Sequence, residues 1–162
     1  VLKRKDVERV IQTIHCPIQK LDLNRNFDVV LCVFSVFCYL ISQQDLRAAI
    51  KSIARHTSNK GYALIDVPFS SSFSGLSYKS ETLCRQVEVK CVDPEMKIFD
   101  YSENGKITDN EQQFIYEDNF QIRCWDTKVI LAEFEDAGMS VQEDISERYE
   151  GSGAHYFILE KS

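Results

Sequence analysis

Polar and apolar residues change their spacing several times along this chain, and each change predicts an element. Phe27-Asp28 opens a run of Val29, Val30, Leu31, Cys32, Val33 and Phe34 that is apolar throughout. A short β-branched run without alternation suits a strand buried on both faces, as in a parallel sheet covered by helices. After Gln43-Gln44-Asp45, the residues Leu46, Ala49, Ile50 and Ile53 recur at three- and four-residue steps, the stripe of an amphipathic helix. Ser58-Asn59-Lys60-Gly61 stops that helix, and Tyr62 to Val67 reads as a second apolar strand closed by Pro68. The three segments make a β-α-β unit with parallel strands. In open α/β sheets, ligands bind beyond the carboxyl ends of the strands. Those ends are Phe34-Ser35 and Asp66-Val67-Pro68.

On either side the pattern is more broken. Residues 1–9 read as a short helix, met as though in its middle, so the chain reads as a portion of a longer protein. Residues 10–16, VIQTIHC, favour a strand through β-branched content. The serine-rich stretch 69–82 reads as a loop, and residues 83–125 hold short alternating runs with a turn at Glu103-Asn104-Gly105. These runs predict an antiparallel meander of three or four strands, a β insert over 68–125 within one domain spanning 1–162. Residues 127–138 restore the helical pattern, capped by Asp126 or Thr127 and ended by Gly138. A strand from Met139 and a last one at Ala154 to Leu159 form a hairpin, adding one antiparallel member to an otherwise parallel sheet.

Totals narrow the class. A chain of 162 residues holds one domain with a real core. A net charge of -6 argues against a broad nucleic-acid footprint. No apolar run reaches the ~18 residues of a membrane span, and the opening VLKRKDVERV lacks a signal-peptide core. The six cysteines match no zinc spacing, which predicts reduced thiols in a cytoplasmic protein. His15 and His56 have no ligand partners at metal spacing, so no metal is expected; His155 enters the last strand, as an edge or packing residue or as one reaching the crevice.

Several stretches together resemble the class I S-adenosylmethionine-dependent methyltransferases. Phe27-Asp28-Val29-Val30, the Leu46–Arg55 helix and Asn59-Lys60-Gly61-Tyr62 are similar to that family's fourth strand, following helix and fifth strand. Leu131 to Met139 and His155-Tyr156-Phe157-Ile158-Leu159 are similar to the helix and strands that close its sheet. The resemblance implies a Rossmann-like α/β sheet, mostly parallel with an antiparallel last strand. The sheet lacks its first two strands and carries an antiparallel β insert of the small-molecule type. No GxGxG occurs in the chain, so the family's glycine-rich turn would lie upstream of Val1. Residues 10–21 match the third strand and its loop; Pro17 stands where members carry an aspartate to the adenine amino group, leaving Ile18 to meet adenine.

By the same resemblance, Cys32, Phe34 and Ser35 face the methionine part of S-adenosylmethionine, with core packing the plainer reading of Cys32. Phe37 and Tyr39 are candidate acceptor walls, an aromatic face suiting the sulfonium charge; core or lid packing is the plainer reading. Asp66 either accepts a hydrogen bond from substrate or caps a backbone amide. Tyr116, with Tyr78 and Trp125, is a candidate for the small-molecule wall or for cross-strand packing. No catalytic residue is named, because methyl transfer needs alignment and exclusion of water more than covalent help. The expected function is methyl transfer to a small molecule in the intact parent protein. The alternative is a non-catalytic, methyltransferase-like structural or regulatory subunit, with a second copy or partner chain covering the incomplete sheet edge. Another doubly wound enzyme, such as a dehydrogenase, would also need a glycine-rich first turn, and the tail pattern argues against it. Neither nucleic acid nor membrane is expected as a partner.

Overall fold

The computed structural model describes residues 11–109 and 112–162. The helix expected at residues 1–9 lies outside them. Strands β1 (Phe27–Cys32) and β2 (Thr57–Pro68) are joined by helix α1 (Gln43–His56), and they pair in parallel from Val29↔Tyr62 to Cys32↔Ile65. Ser42 starts α1: its Oγ accepts the Asp45 N–H at 3.0 Å, relieving one unpaired donor of the first turn. Thr57 already belongs to β2, so the expected helix stop at 58–61 is instead an irregularity at the strand's start, where the register jumps from Phe27↔Thr57 to Val29↔Tyr62. Gly61 is needed there. A Cβ on it would meet Ser58 O at 2.9 Å and Asp28 O at 3.0 Å, so only glycine lets β1 approach.

Helix α2 (Thr127–Asp136) leads into β7 (Met139–Asp144) and β8 (Ala154–Lys161). Asp126 caps α2 by accepting the Lys128 N–H at 2.9 Å. The sheet order is β1-β2-β8-β7, with β8 antiparallel to both neighbours. Only the β1–β2 ladder is therefore parallel, and the sheet expected to be mostly parallel is largely antiparallel in its pairing. The reason is the position of β8, which inserts between β2 and β7 and replaces one parallel contact by two antiparallel ones. Lys161 ties the last strand to α1 by donating to the Ala54 and Thr57 carbonyls at 2.7 and 2.8 Å, a cation at a helix C-terminus.

Both helices cover one face of this sheet. Leu46, Ala49, Ile50, Ile53, Ile130 and Phe134 pack on Ala63, Ile65, Val67, Phe157 and Leu159. Burial of β1 on both faces does not follow: Val29 and Leu31 are 58% and 63% exposed on the other face. Of the strand expected at 10–16, residues 11–16 form no strand, and residue 10 lies outside the described residues. Residues 11–17 belong to no helix or strand and are exposed; β-prone composition does not by itself make a strand. The outer edge of β1 carries no partner among the described residues.

A second sheet is an antiparallel meander, β3 (Leu76–Lys79), β4 (Leu83–Asp93), β5 (Ile98–Asp109) and β6 (Gln112–Arg123), in that order. The turn expected at Glu103-Asn104-Gly105 lies inside β5, where Gly105 pairs with Tyr116. The meander is fastened at its base: Trp125 Nε1 donates to the Leu40 carbonyl at 2.8 Å, and Arg123 lies 3.6 Å over the Trp125 ring while donating to the Ile41 carbonyl.

Candidate functional site

The carboxyl ends of β1 and β2 meet at one rim. Phe34 and Ser35, directly after β1, both hold left-handed backbone, with φ of 69° and 62°. Asp66, near the end of β2, accepts the Ser35 N–H on both carboxylate oxygens at 3.1 and 2.9 Å. That bond holds two successive residues in a conformation that costs each of them energy, a combination found where a turn must present its backbone. Asp66 is buried, and burial raises its carboxyl above the ordinary range despite the pull of the Ser35, Asp66 and Phe34 amides. Of its two expected roles, capping a backbone amide is the one the structure shows.

Above this rim opens a cleft of about 240 Å³ between the first sheet and the meander. Phe34, Ser35, Cys38 and Tyr39 supply one side, Pro68, Ser72 and Phe73 the next, and Tyr101, Phe120 and Ile122 of the meander the third. Tyr39 reaches Phe120 at 5.4 Å between ring centroids, and Phe120 stacks on Tyr101 at 4.6 Å and 18°. Three rings thus run as one wall. No charged side chain lines the cleft among the described residues.

Of the residues singled out in the sequence, Phe34, Ser35 and Tyr39 line the cleft. Cys32 does not: it is buried in the core under the rim, and burial with the nearby Asp66 charge pushes its thiol up to about 12. Phe37 is likewise no wall. It is 1% exposed and packs edge-on against Phe134, at 6.0 Å, because the short turn at Val36–Tyr39 directs it into the helix layer. Ile18 lies half-buried on a turn at Ile18–Lys20 packed against the core, away from the cleft lining. Tyr116 is also outside the lining, its hydroxyl donated to Glu103 at 2.7 Å. His56 is a packing residue, with Nδ1 at the Ser52 carbonyl and Nε2 accepting the Leu23 N–H.

Tyr101, Phe120, Ile122 and Phe73 were missed as cleft residues. A signal for them exists: Phe99 and Tyr101 alternate on β5 opposite Ile122 and Phe120 on β6. Reading it required the correct turn between those strands. Behind the wall, Glu103 is buried and accepts from Arg85 Nε and Nη2 at 2.6 and 2.9 Å, from the Tyr116 hydroxyl and from the Tyr101 hydroxyl. These donors, the Arg85 guanidinium foremost, pull its carboxyl down to about 2. No group of His, Cys, Asp and Glu is placed to hold a metal among the described residues, and no helix among them is long and apolar enough to cross a membrane.

Comparison with known proteins returns one family model, described as a methyltransferase domain, over residues 1–65. Curated proteins return no match. Among solved structures, an S-adenosylmethionine-dependent methyltransferase from Clostridium acetobutylicum ATCC 824 aligns over 98% of this chain and 68% of its own, with a TM-score of 0.80 at 14% identity. The sugar N-methyltransferase KedS8 from Streptoalloteichus sp ATCC 53650 aligns over 98% and 66%, with 0.70 at 17%. CalS10, an amino pentose methyltransferase from Micromonospora echinaspora solved with S-adenosylmethionine bound, aligns over 90% and 62%, with 0.68 at 17%. At these identities the likeness is one of fold. This chain spans about two thirds of the length of each of these structures.

Proposed function

We propose that this chain belongs to the class I S-adenosylmethionine-dependent methyltransferases and forms the acceptor side of an enzyme that methylates a small molecule. The family match and the fold support the class, and the cofactor follows from it. The observation that carries the reading is the shared rim: Ser35 bonded to Asp66, with the aromatic cleft directly above. The residues present fit the cofactor in part. The Phe34-Ser35 turn would meet its methionine end and Ile18 its adenine, while the remaining contacts would come from outside the described residues. When bound, S-adenosylmethionine supplies an electrophilic methyl carbon.

This chain's own residues orient the acceptor and exclude water. Phe34, Tyr39, Phe73, Tyr101 and Phe120 remove the acceptor from bulk solvent and fix its approach, which is most of what an in-line displacement requires. No ionised side chain lines the cleft among the described residues, so the acceptor atom arrives with its lone pair available. Calorimetric titration with S-adenosylmethionine, of this chain and of a longer protein containing it, tests the reading. A labelled-methyl screen over amine- and hydroxyl-bearing small molecules then finds the acceptor. Absence of cofactor binding in both proteins overturns the enzyme.

One feature favours a second reading, a structural or regulatory subunit. Val29, Leu31, Tyr62, Leu64 and Ile158, with Gln142 and Glu143, line a largely apolar hollow on the face of the first sheet that no helix covers among the described residues. A second copy or a partner chain seated there would complete the layer.

A further inference from the structure

Glu103 is the best-satisfied buried polar group on the meander, and its bonds lead to the cleft. It receives the Arg85 guanidinium in a two-point contact and the hydroxyls of Tyr101 and Tyr116. Arg85 Nη2 also donates to the Tyr101 hydroxyl at 3.0 Å, so that hydroxyl is held from two sides. Tyr101 in turn stacks on Phe120, and Phe120 meets Tyr39. A part-buried ion pair is weak evidence of stabilisation, since apolar residues of similar volume often serve as well. What apolar residues would not supply is a fixed place for the Tyr101 ring. Even Gly105 serves the arrangement: a Cβ there would overlap the Tyr116 ring, which crosses the strand to reach the same carboxylate.

We propose that Glu103 is a positioning residue for the cleft, anchoring the Tyr101 hydroxyl and so the Tyr101–Phe120 wall against which a planar, uncharged portion of the acceptor stacks. The proposal rests on the methyltransferase reading for the word acceptor, but the stacking itself does not. Rings line all three sides of the cleft and no charged side chain lines it among the described residues, which favours a flat group over a puckered one and offers no ion-pair partner to an anionic one.

The test uses the 162-residue chain and p-cresol as a planar neutral probe, with cyclohexanol as the puckered comparison. Saturation-transfer and titration NMR are expected to place p-cresol against Tyr101 and Phe120 and to favour it over cyclohexanol. Phe120→Leu, Glu103→Gln and Tyr101→Phe should each weaken p-cresol by about fivefold. Because Glu103 and Tyr101 act as one unit, the double variant should be no weaker than either single one. A merely structural Glu103 would not give that non-additivity. The proposal is overturned when p-cresol does not contact Tyr101 and Phe120. It is equally overturned when Glu103→Gln binds like the parent, or when the two changes add. Should Glu103→Gln fail to fold by circular dichroism, Tyr101→Phe decides alone, since it leaves Arg85, Glu103 and Tyr116 in place; parent-like binding by it overturns the proposal. Methyl transfer is measured separately, in a longer protein containing this chain. Its absence beside intact stacking strikes the enzyme reading, and its presence beside a neutral Glu103→Gln strikes only Glu103.

Discussion

Two residues at the end of β1 show how a side chain can hold a backbone where it does not rest by itself. Phe34 and Ser35 carry φ of 69° and 62°, each at a cost of about 1–2 kcal/mol for an L-residue. Asp66 offsets that cost through its two contacts with the Ser35 N–H. Ser35→Gly should therefore raise stability by about 1 kcal/mol, read as a higher urea midpoint at unchanged slope, whereas Asp66→Ala should lower it by about 2–3 kcal/mol. A midpoint unmoved by Asp66→Ala would show that the turn holds itself. Glu103 gives the pH dependence. Its folded carboxyl sits at about 2, below its ordinary 4.5, so its contribution is fully present above 4.5 and is lost as pH falls through about 2. With Arg85 partly exposed, roughly 2 kcal/mol is at stake. The stability difference between the parent chain and Glu103→Gln should be larger at pH 7 than at pH 3, as denaturation curves at the two values will show. Thiol chemistry follows burial in the same way. Cys32 and Cys38, both pushed up to about 12, should resist iodoacetamide at pH 8, while the exposed Cys16, Cys84 and Cys91 react, as peptide mass mapping will show.

At the scale of elements, what the sequence made legible was what neighbouring residues decide among themselves. The stripe Leu46, Ala49, Ile50 and Ile53 is the buried face of α1, and Asp126 and Gly138 bound α2 as read. Residues whose state depends on a distant partner were misread. VIQTIHC has strand-forming side chains, yet residues 11–16 lie in no strand although the outer edge of β1 stands open among the described residues, so propensity alone was a poor guide there. Asn104-Gly105 carries the strongest short hairpin signal, yet here glycine is needed for space and not for a turn. Tyr116 lies across Gly105 from the facing strand, a contact that no local pattern announces. With that turn misplaced, the pairing of Tyr101 with Phe120 could not be read, and with it went the wall of the cleft. Gly105→Ala should displace Tyr116 from Glu103 and cost about 1–3 kcal/mol by the overpacking it forces. Adding Tyr116→Ala should then cost less than it does alone, which a thermal-denaturation cycle would measure; simple additivity would mean that the ring never lay on the glycine.

For the molecule as a whole, the informative mismatch is between β1's composition and its surroundings. A run apolar at every position is the mark of a strand with cover on both faces. The helices cover one face; on the other, Val29 is 58% and Leu31 63% exposed, and Tyr62, Leu64 and Ile158 extend the apolar hollow across β2 and β8. The outer edge of β1 lies beside that hollow with its backbone unpaired among the described residues. An apolar face and an open edge together favour association, because a second layer buries the first and a further strand satisfies the second. Net charge of -6 opposes association only weakly at physiological salt, where charges on separate copies are screened beyond about 8 Å. The isolated chain should therefore self-associate, and Leu31→Lys, which places a charge in the middle of the hollow, should return it to a monomer without disturbing the cleft. Light scattering at several concentrations distinguishes the outcomes. If the parent chain scatters as a monomer throughout, the exposed face is tolerated in water, and the case for a covering partner at this position is lost.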